Sequence, residues 1–110
     1  MEIKVKDLMV LERLLLEIEV RFKFDLQFND AYKLYELLKK VGKITSYAFL
    51  IQDEYSKKFN DNEGLKKYHE MVMESEIDFN SNKVIEFIDK VNGEMEDDDF
   101  SKLLEQIKFW

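Results

Sequence analysis

The sequence contains no cysteine, no proline and only three glycines among its 110 residues. The absence of cysteine excludes disulfides, thiol catalysis and cysteine-ligated zinc or iron–sulfur centres, and it fits a reducing compartment. Gly42, Gly64 and Gly93 lie far apart in the chain, so no glycine-rich loop is present to cradle a phosphate. We therefore expect the protein to use no cofactor.

Residues that commonly carry out catalysis are also scarce. His69 is the only histidine, which excludes sites that need two or more histidines. The sequence contains neither a G-x-S-x-G nor an S-x-x-K motif, and Thr45 is its only threonine. We predict that the protein is not an enzyme, and we interpret His69 as a solvent-facing or partly packed helix residue.

Basic residues are fewer than acidic ones. The chain has 17 lysines and arginines against 24 acidic residues, which gives a formal net charge of -7. Only Arg13 and Arg21 are arginines, so few side chains can recognise phosphate in a bidentate manner. Negative charge opposes binding to nucleic acids and anionic membranes, and no apolar run is long enough to cross a bilayer. We therefore predict a cytoplasmic protein that binds neither nucleic acid directly nor a membrane.

An acidic run near the end of the chain has two interpretations. Hard cations such as calcium prefer several carboxylates, but this run lacks the glycine and the final glutamate of an EF-hand loop. Carboxylates placed just before Phe100 would also stabilise the positive N-terminal end of a last helix, which is the interpretation we favour. The residues of the run are Glu94, Glu96, Asp97, Asp98 and Asp99.

The length and composition indicate one domain that spans residues 1–110. Apolar residues make up 45% of the chain, enough for a modest core in a domain of this size. Polar and apolar residues alternate at 2–5, 21–24 and 76–79, which predicts two or three short strands. Between the first two segments, apolar spacing predicts a helix of about three turns with Asp7 at its N-cap.

The strongest pattern in the sequence predicts a long central helix over residues 29–59. Its apolar residues recur at alternating steps of three and four, which is typical of a heptad seam. Such a helix would be about 45 Å long, whereas a compact domain of this size has a diameter near 35 Å. The helix must therefore protrude, bend or break, and Gly42 is the natural place for a break. The seam residues are Leu34, Leu37, Val41, Ile44, Ala48, Ile51 and Tyr55.

Two further helical patterns follow the central helix. The apolar spacing after Gly64 predicts a shorter helix, and the short connection predicts that it packs antiparallel on the long one. A final helix is predicted over residues 97–108, and the apolar residues between 84 and 91 suit more than one secondary structure. The fold class is therefore α+β, mainly helical, with a small sheet of two or three short strands.

Two sets of residues are candidates for an interface. Self-association through the central helix is the simplest use of its seam, and we place it at Leu37, Val41, Ile44, Ala48 and Ile51. Phe109 and Trp110 form the second candidate, because tryptophan is frequent among the residues that dominate binding energy. These two residues either fold back onto the core or serve as an exposed anchor.

Three segments resemble small uncharacterised proteins of tailed phages and prophages of low-GC Gram-positive bacteria. Residues 1–8 (MEIKVKDL) resemble their basic and hydrophobic first strand and helix, and residues 28–34 (FNDAYKL) resemble the start of their long helix. Residues 73–79 (MESEIDF) resemble their acidic and hydrophobic later strand. The resemblance implies a location in the host cytoplasm or on the virion, and it implies no catalytic residues.

The leading hypothesis for function is a non-enzymatic phage interaction protein, either an assembly accessory or a factor that acts on a host component. One alternative is an acidic inhibitor that mimics nucleic acid and blocks a host enzyme, with charge supplied by residues 94–99 and by Glu70, Glu74, Glu76 and Asp78. Another is an oligomer that sequesters a ligand in a pocket between subunits. The first hypothesis requires a protein partner or a second copy of the chain.

Overall fold

The computed structural model describes residues 1–59 and 61–107, and it confirms the predicted fold class. It is 77% helical and contains five helices and one small antiparallel sheet. The long helix and the shorter helix expected from the sequence span Phe28–Ser56 and Asn62–Glu74. The elements in chain order are β1 (Glu2–Lys4), α1 (Val5–Phe22), α2 (Phe28–Ser56), α3 (Asn62–Glu74), β2 (Glu76–Asp78), α4 (Asn82–Met95) and α5 (Asp98–Glu105).

The sheet joins the start of the chain to the end of α3. Strands β1 and β2 are antiparallel, with Ile3 opposite Ile77. The pairing extends beyond the strands, because the Val5 amide donates to the Ser75 carbonyl at 2.9 Å and the Phe79 amide donates to the Met1 carbonyl at 3.0 Å. This sheet fixes the first turn of α1 beside the last turn of α3.

The strand predicted at 21–24 is wrong. Phe22 is the last residue of α1 and is buried, and the chain turns directly after it. Phe22 lies four residues after Ile18, so helical geometry places both on the buried face of α1. The Phe22 ring packs edge-on against Phe100, with 5.5 Å between the ring centroids. A four-residue alternation was too short to compete with that packing.

Helix α1 is also longer than predicted and begins earlier. It spans 18 residues, and Lys4 occupies the N-cap position without a side-chain hydrogen bond. Asp7 lies inside the first turn, where its charge favours the positive end of the helix without capping it. The start of α1 is instead held by the backbone hydrogen bond from Val5 to Ser75.

Helix α2 continues without a break through Gly42 and runs antiparallel to α1. The Thr45 hydroxyl donates to the Glu12 carboxylate at 3.0 Å, while Val5 at the start of α1 lies near Ala48. A Cβ atom on Gly42 would lie 3.3 Å from the same Glu12 carboxylate, so the glycine leaves room for Glu12. The long helix therefore protrudes, and the molecule measures 49 × 26 × 25 Å.

The core lies around α1 and the first half of α2. Helix α4 includes the apolar residues between 84 and 91. It ends at Met95, and the next residue, Glu96, adopts a left-handed conformation with φ 49°. The Asp97 carboxylate then accepts a hydrogen bond from the Phe100 amide at 2.8 Å, and Asp98 and Asp99 lie in the first turn of α5. The three aspartates of the acidic run therefore lie at the N-terminal end of α5, as the sequence indicated, whereas Glu94 and Glu96 belong to the end of α4.

Replacement of Phe100 tests the packing of α5 on α1. Phe100 is fully buried, so Phe100→Ala should lower the free energy of unfolding by about 3–5 kcal/mol. Phe24→Ala is the matched control, because Phe24 is 93% exposed and its loss should change stability by less than about 0.5 kcal/mol. Urea unfolding of dilute protein measures both values, and equal losses would contradict the assigned core.

Candidate functional site

The second half of α2 extends beyond the start of α1 and pairs with α3. The Gln52 side-chain amide donates to Nδ1 of His69 at 2.8 Å, and the rings of Phe59 and Tyr68 lie 5.5 Å apart. The Asp61 carboxylate caps the N-terminus of α3 by accepting a hydrogen bond from the Gly64 amide. The two helices form a hairpin that projects from the core.

One flank of this hairpin contains an apolar cavity of about 450 Å³. Its base is formed by Val5, Ser75 and Ile77, where the sheet meets α1, and its walls come from α2 and α3. Among the described lining residues, only Ser75 has a side chain that is neither apolar nor aromatic. Those residues are Val5, Ile44, Tyr47, Ala48, Ile51, Tyr68, Met71, Val72, Ser75 and Ile77.

A second cavity of about 410 Å³ continues the first toward the tip of the hairpin. Tyr68 and Met71 line both cavities, so the two form one depression, which we call the α2–α3 groove. Among the described residues that line it, only Lys58 and Lys67 are charged. The remaining residues of the second cavity are Tyr55, Phe59, Gly64, Tyr68 and Met71.

The two lysines give the tip of the groove a positive character. The Lys58 ammonium lies 4.6 Å from the centroid of the Tyr55 ring, a cation–π contact that leaves its N–H donors free for another group. Lys67 lies 3.5 Å from a carboxylate oxygen of Glu63, and both side chains are largely exposed. Exposed pairs of this kind contribute little, so Lys67 can exchange Glu63 for another carboxylate.

The groove has the chemistry of a binding surface. Burial of apolar surface contributes about 25 cal/mol per Å², and aromatic and methionine side chains adapt well to apolar ligands. His69 is exposed and hydrogen-bonded to Gln52. Within residues 1–59 and 61–107, no three acidic or histidine side chains lie together in a way that could hold a metal ion. The helices described there include none with the length and apolar character to span a membrane.

The structure divides the predicted interface seam into two parts. Leu37 and Val41 are buried by the protein itself, so a partner cannot reach them in this conformation, whereas Ala48 is 9% exposed and lines the α2–α3 groove. Ile44 is partly buried and Ile51 is 52% exposed, and both line the α2–α3 groove. The candidate interface therefore narrows to the outer part of the seam. Phe109 and Trp110 lie outside the described residues.

Sequence reasoning did not identify the groove residues that come from other elements. Tyr68 and Met71 of α3 form its second wall, and Met71 is 57% exposed. Residues 47–51 (YAFLI) carried a usable signal, because one helix face cannot bury five consecutive apolar residues. Such a run indicates that α2 presents apolar surface in more than one direction.

Two of the acidic side chains assigned to a nucleic-acid mimic, Glu74 and Glu94, are paired with lysines. The Glu74 carboxylate accepts hydrogen bonds from Lys4, at 2.8 Å, and from Lys6. The hydrogen bond from Lys4, followed by the one from Lys6, lowers the pKa of Glu74 from 4.5 to about 2. Glu94 lies 3.6 Å from Lys90. These pairs reduce the unpaired acidic surface that a mimic needs, and the Glu74 pairs hold the end of α3 beside α1.

The paired state of Glu74 predicts a pH dependence. Because its pKa is lowered on folding, its contribution to stability is present above pH 4.5 and is lost as the pH falls toward 2. NMR titration of the Glu74 carboxyl group should give a midpoint near 2, and Lys4→Met with Lys6→Met should move it toward 4.5. Lys83→Met, on α4, serves as the control and should leave it unchanged. A midpoint near 4.5 in the unmodified protein would contradict the pairing.

Comparison with known proteins gave no match. No family model, no curated protein and no solved structure matches the chain. What the protein does is therefore inferred from its own residues and from the geometry of the α2–α3 groove.

Proposed function

We propose that the protein is a non-catalytic interaction module that binds apolar side chains of a protein in the α2–α3 groove. The observation that carries the proposal is the exposure of large apolar residues on both walls of one groove, with Ile51 on α2 and Met71 on α3. Contiguous apolar surface of this kind is typical of interaction sites on soluble proteins. Exposure of this apolar surface to water is unfavourable, and a bound partner removes that penalty.

The shape of the groove favours a protein segment over a small molecule. Along α2 the groove extends from Ile44 to Tyr55, which corresponds to about 16 Å of helix. Sites for small molecules enclose most of the ligand and fix its orientation with a few precisely placed polar groups. Here the charged groups lie only at the tip, at Lys58 and Lys67, among the described lining residues. A ligand-sequestering pocket therefore has less support than a protein interface.

The resemblance to phage proteins supplies the biological setting of this proposal. In that setting the module either assists assembly of the particle or engages a component of the host. Both roles need a binding surface and no catalytic group, and both place the protein in the host cytoplasm or on the virion. The acidic-mimic alternative has weaker support, because Glu74 is paired with Lys4 and Lys6.

Site-specific photocrosslinking in producing cells tests the proposed surface. A benzoylphenylalanine replaces Ile51 or Met71 in the groove, or Asp53 on the other flank of α2 as the matched control. We expect one discrete protein adduct from both groove positions and little from Asp53. Ile51→Asp should reduce the adduct formed at Met71 at least tenfold, because it places a charge in an apolar contact.

Two results of this experiment would contradict the proposed function. One is an adduct of equal yield from Asp53, which would show that the contact is not specific to the groove. The other is the absence of any discrete adduct from the groove positions when the control variant is produced at the same level. Circular dichroism of each variant checks that the helices are retained.

A further inference from the structure

The turn between α1 and α2 and the first two turns of α2 carry the most exposed aromatic side chains of the described chain. Phe24 is 93% exposed, Phe28 is 79% exposed and Tyr32 is 63% exposed. The rings of Phe28 and Tyr32 lie 6.3 Å apart on successive turns of α2. We call these three residues the aromatic patch. Isolated exposed apolar residues are common, but three large aromatic residues within nine positions indicate a contact surface.

The aromatic patch and the α2–α3 groove lie at opposite ends of α2. Phe28 is the first residue of α2, whereas Tyr55 is the next to last and lines the tip of the groove. The two residues are 27 positions apart, which corresponds to about 40 Å of helix. A chain therefore cannot place its own aromatic patch in its own groove, although a second copy can.

We propose that the aromatic patch of one copy inserts into the α2–α3 groove of the next, so that the protein self-associates head to tail. This inference rests on the proposed function, because it names the occupant of the same groove. Aromatic rings from the patch would meet Tyr68 and Met71, and both aromatic pairs and sulfur–aromatic contacts are favourable.

Charge complementarity supports a second copy as the occupant. Asp25 lies within the turn that bears the patch, between Phe24 and Phe28, and is exposed. The groove offers Lys58 and Lys67 at its tip. The patch also carries Lys23, whose ammonium lies 5.7 Å from the Phe24 ring, so the charge complementarity rests on Asp25 alone. A carboxylate next to aromatic anchors matches an apolar groove with two lysines at one end.

The area available predicts a weak association. Each aromatic side chain buries about 150–250 Å². Three of them and a comparable area of groove give about 900–1,500 Å² in total, which is at the small end of specific interfaces. We expect dissociation constants in the micromolar range or weaker. Because patch and groove are different surfaces, the contact is heterologous and continues into open chains or rings.

Mixing two complementary variants tests this arrangement. Phe24→Ser with Phe28→Ser removes the patch and leaves the groove, while Ile51→Asp with Met71→Asp disrupts the groove and leaves the patch. All four side chains are exposed, so both variants should fold. In sedimentation velocity, unmodified protein should grow beyond a dimer with concentration, and each variant alone should stay monomeric. An equimolar mixture of the two should form a dimer that grows no further.

Phe49→Ser with Leu50→Ser is the matched apolar control for this experiment. Both residues are exposed on α2 but lie outside the described lining of the α2–α3 groove. This variant should self-associate like the unmodified protein. If a variant loses helicity by circular dichroism, Phe28→Ser alone or Met71→Asp alone takes its place.

Charge reversal tests the role of the two lysines. Lys58→Glu with Lys67→Glu should weaken association about tenfold, and Asp25→Lys on the patch of the mixing partner should restore it. Lys57→Glu with Lys66→Glu is the matched control, because it makes the same change in net charge one residue away from each groove lysine. Lys57 is paired with Glu54 and does not line the groove, so association should be unchanged.

The outcomes separate this inference from the proposed function. Unmodified protein that stays monomeric at several hundred micromolar, or variants that fail to form a dimer when mixed, would overturn head-to-tail association. If the groove positions still crosslink to a different protein, the proposed function stands without it. A symmetric dimer that persists in both variants would also overturn the inference.

Discussion

The difference in length between α1 and α2 determines where this protein buries apolar surface and where it exposes it. Helix α1 has 18 residues and α2 has 29, so about 16 Å of α2 has no α1 beside it. Helix α3 covers one side of that extension through Gln52 and His69. The α2–α3 groove lies beside this contact, with α2 as one wall and α3 as the other.

Much of the fold follows from local patterns in the sequence. The three-four spacing located α2 correctly, and the alternation at 2–5 and 76–79 located the two strands that pair. Periodicity shows which residues share a face, but it does not show which element covers that face. For this reason Leu37 and Val41 looked equivalent to Ile51, although α1 buries the first two and leaves Ile51 exposed. The sequence also left open whether the helix breaks at Gly42, because it does not show that the Glu12 carboxylate lies beside this glycine.

The lysine pairs show the same limit for the candidate site. Lys57–Lys58 and Lys66–Lys67 are typical of solvated helix faces, and that interpretation holds for Lys57, which pairs with Glu54. Lys58 and Lys67, in contrast, both line the tip of the α2–α3 groove, Lys58 from just after the end of α2 and Lys67 from α3. Their role depends on the angle between two helices, which a one-dimensional pattern does not encode.

Methyl NMR of isoleucine-labelled protein, recorded over a series of concentrations, tests most directly whether the α2–α3 groove is the binding surface. Ile44, Ile51 and Ile77 line the groove, whereas Ile18 and Ile88 are fully buried in the core. We predict that the groove signals, Ile51 above all, shift with concentration while the two core signals remain fixed. Constant groove signals alongside shifts at other isoleucines would contradict the assignment of this groove as the interaction site.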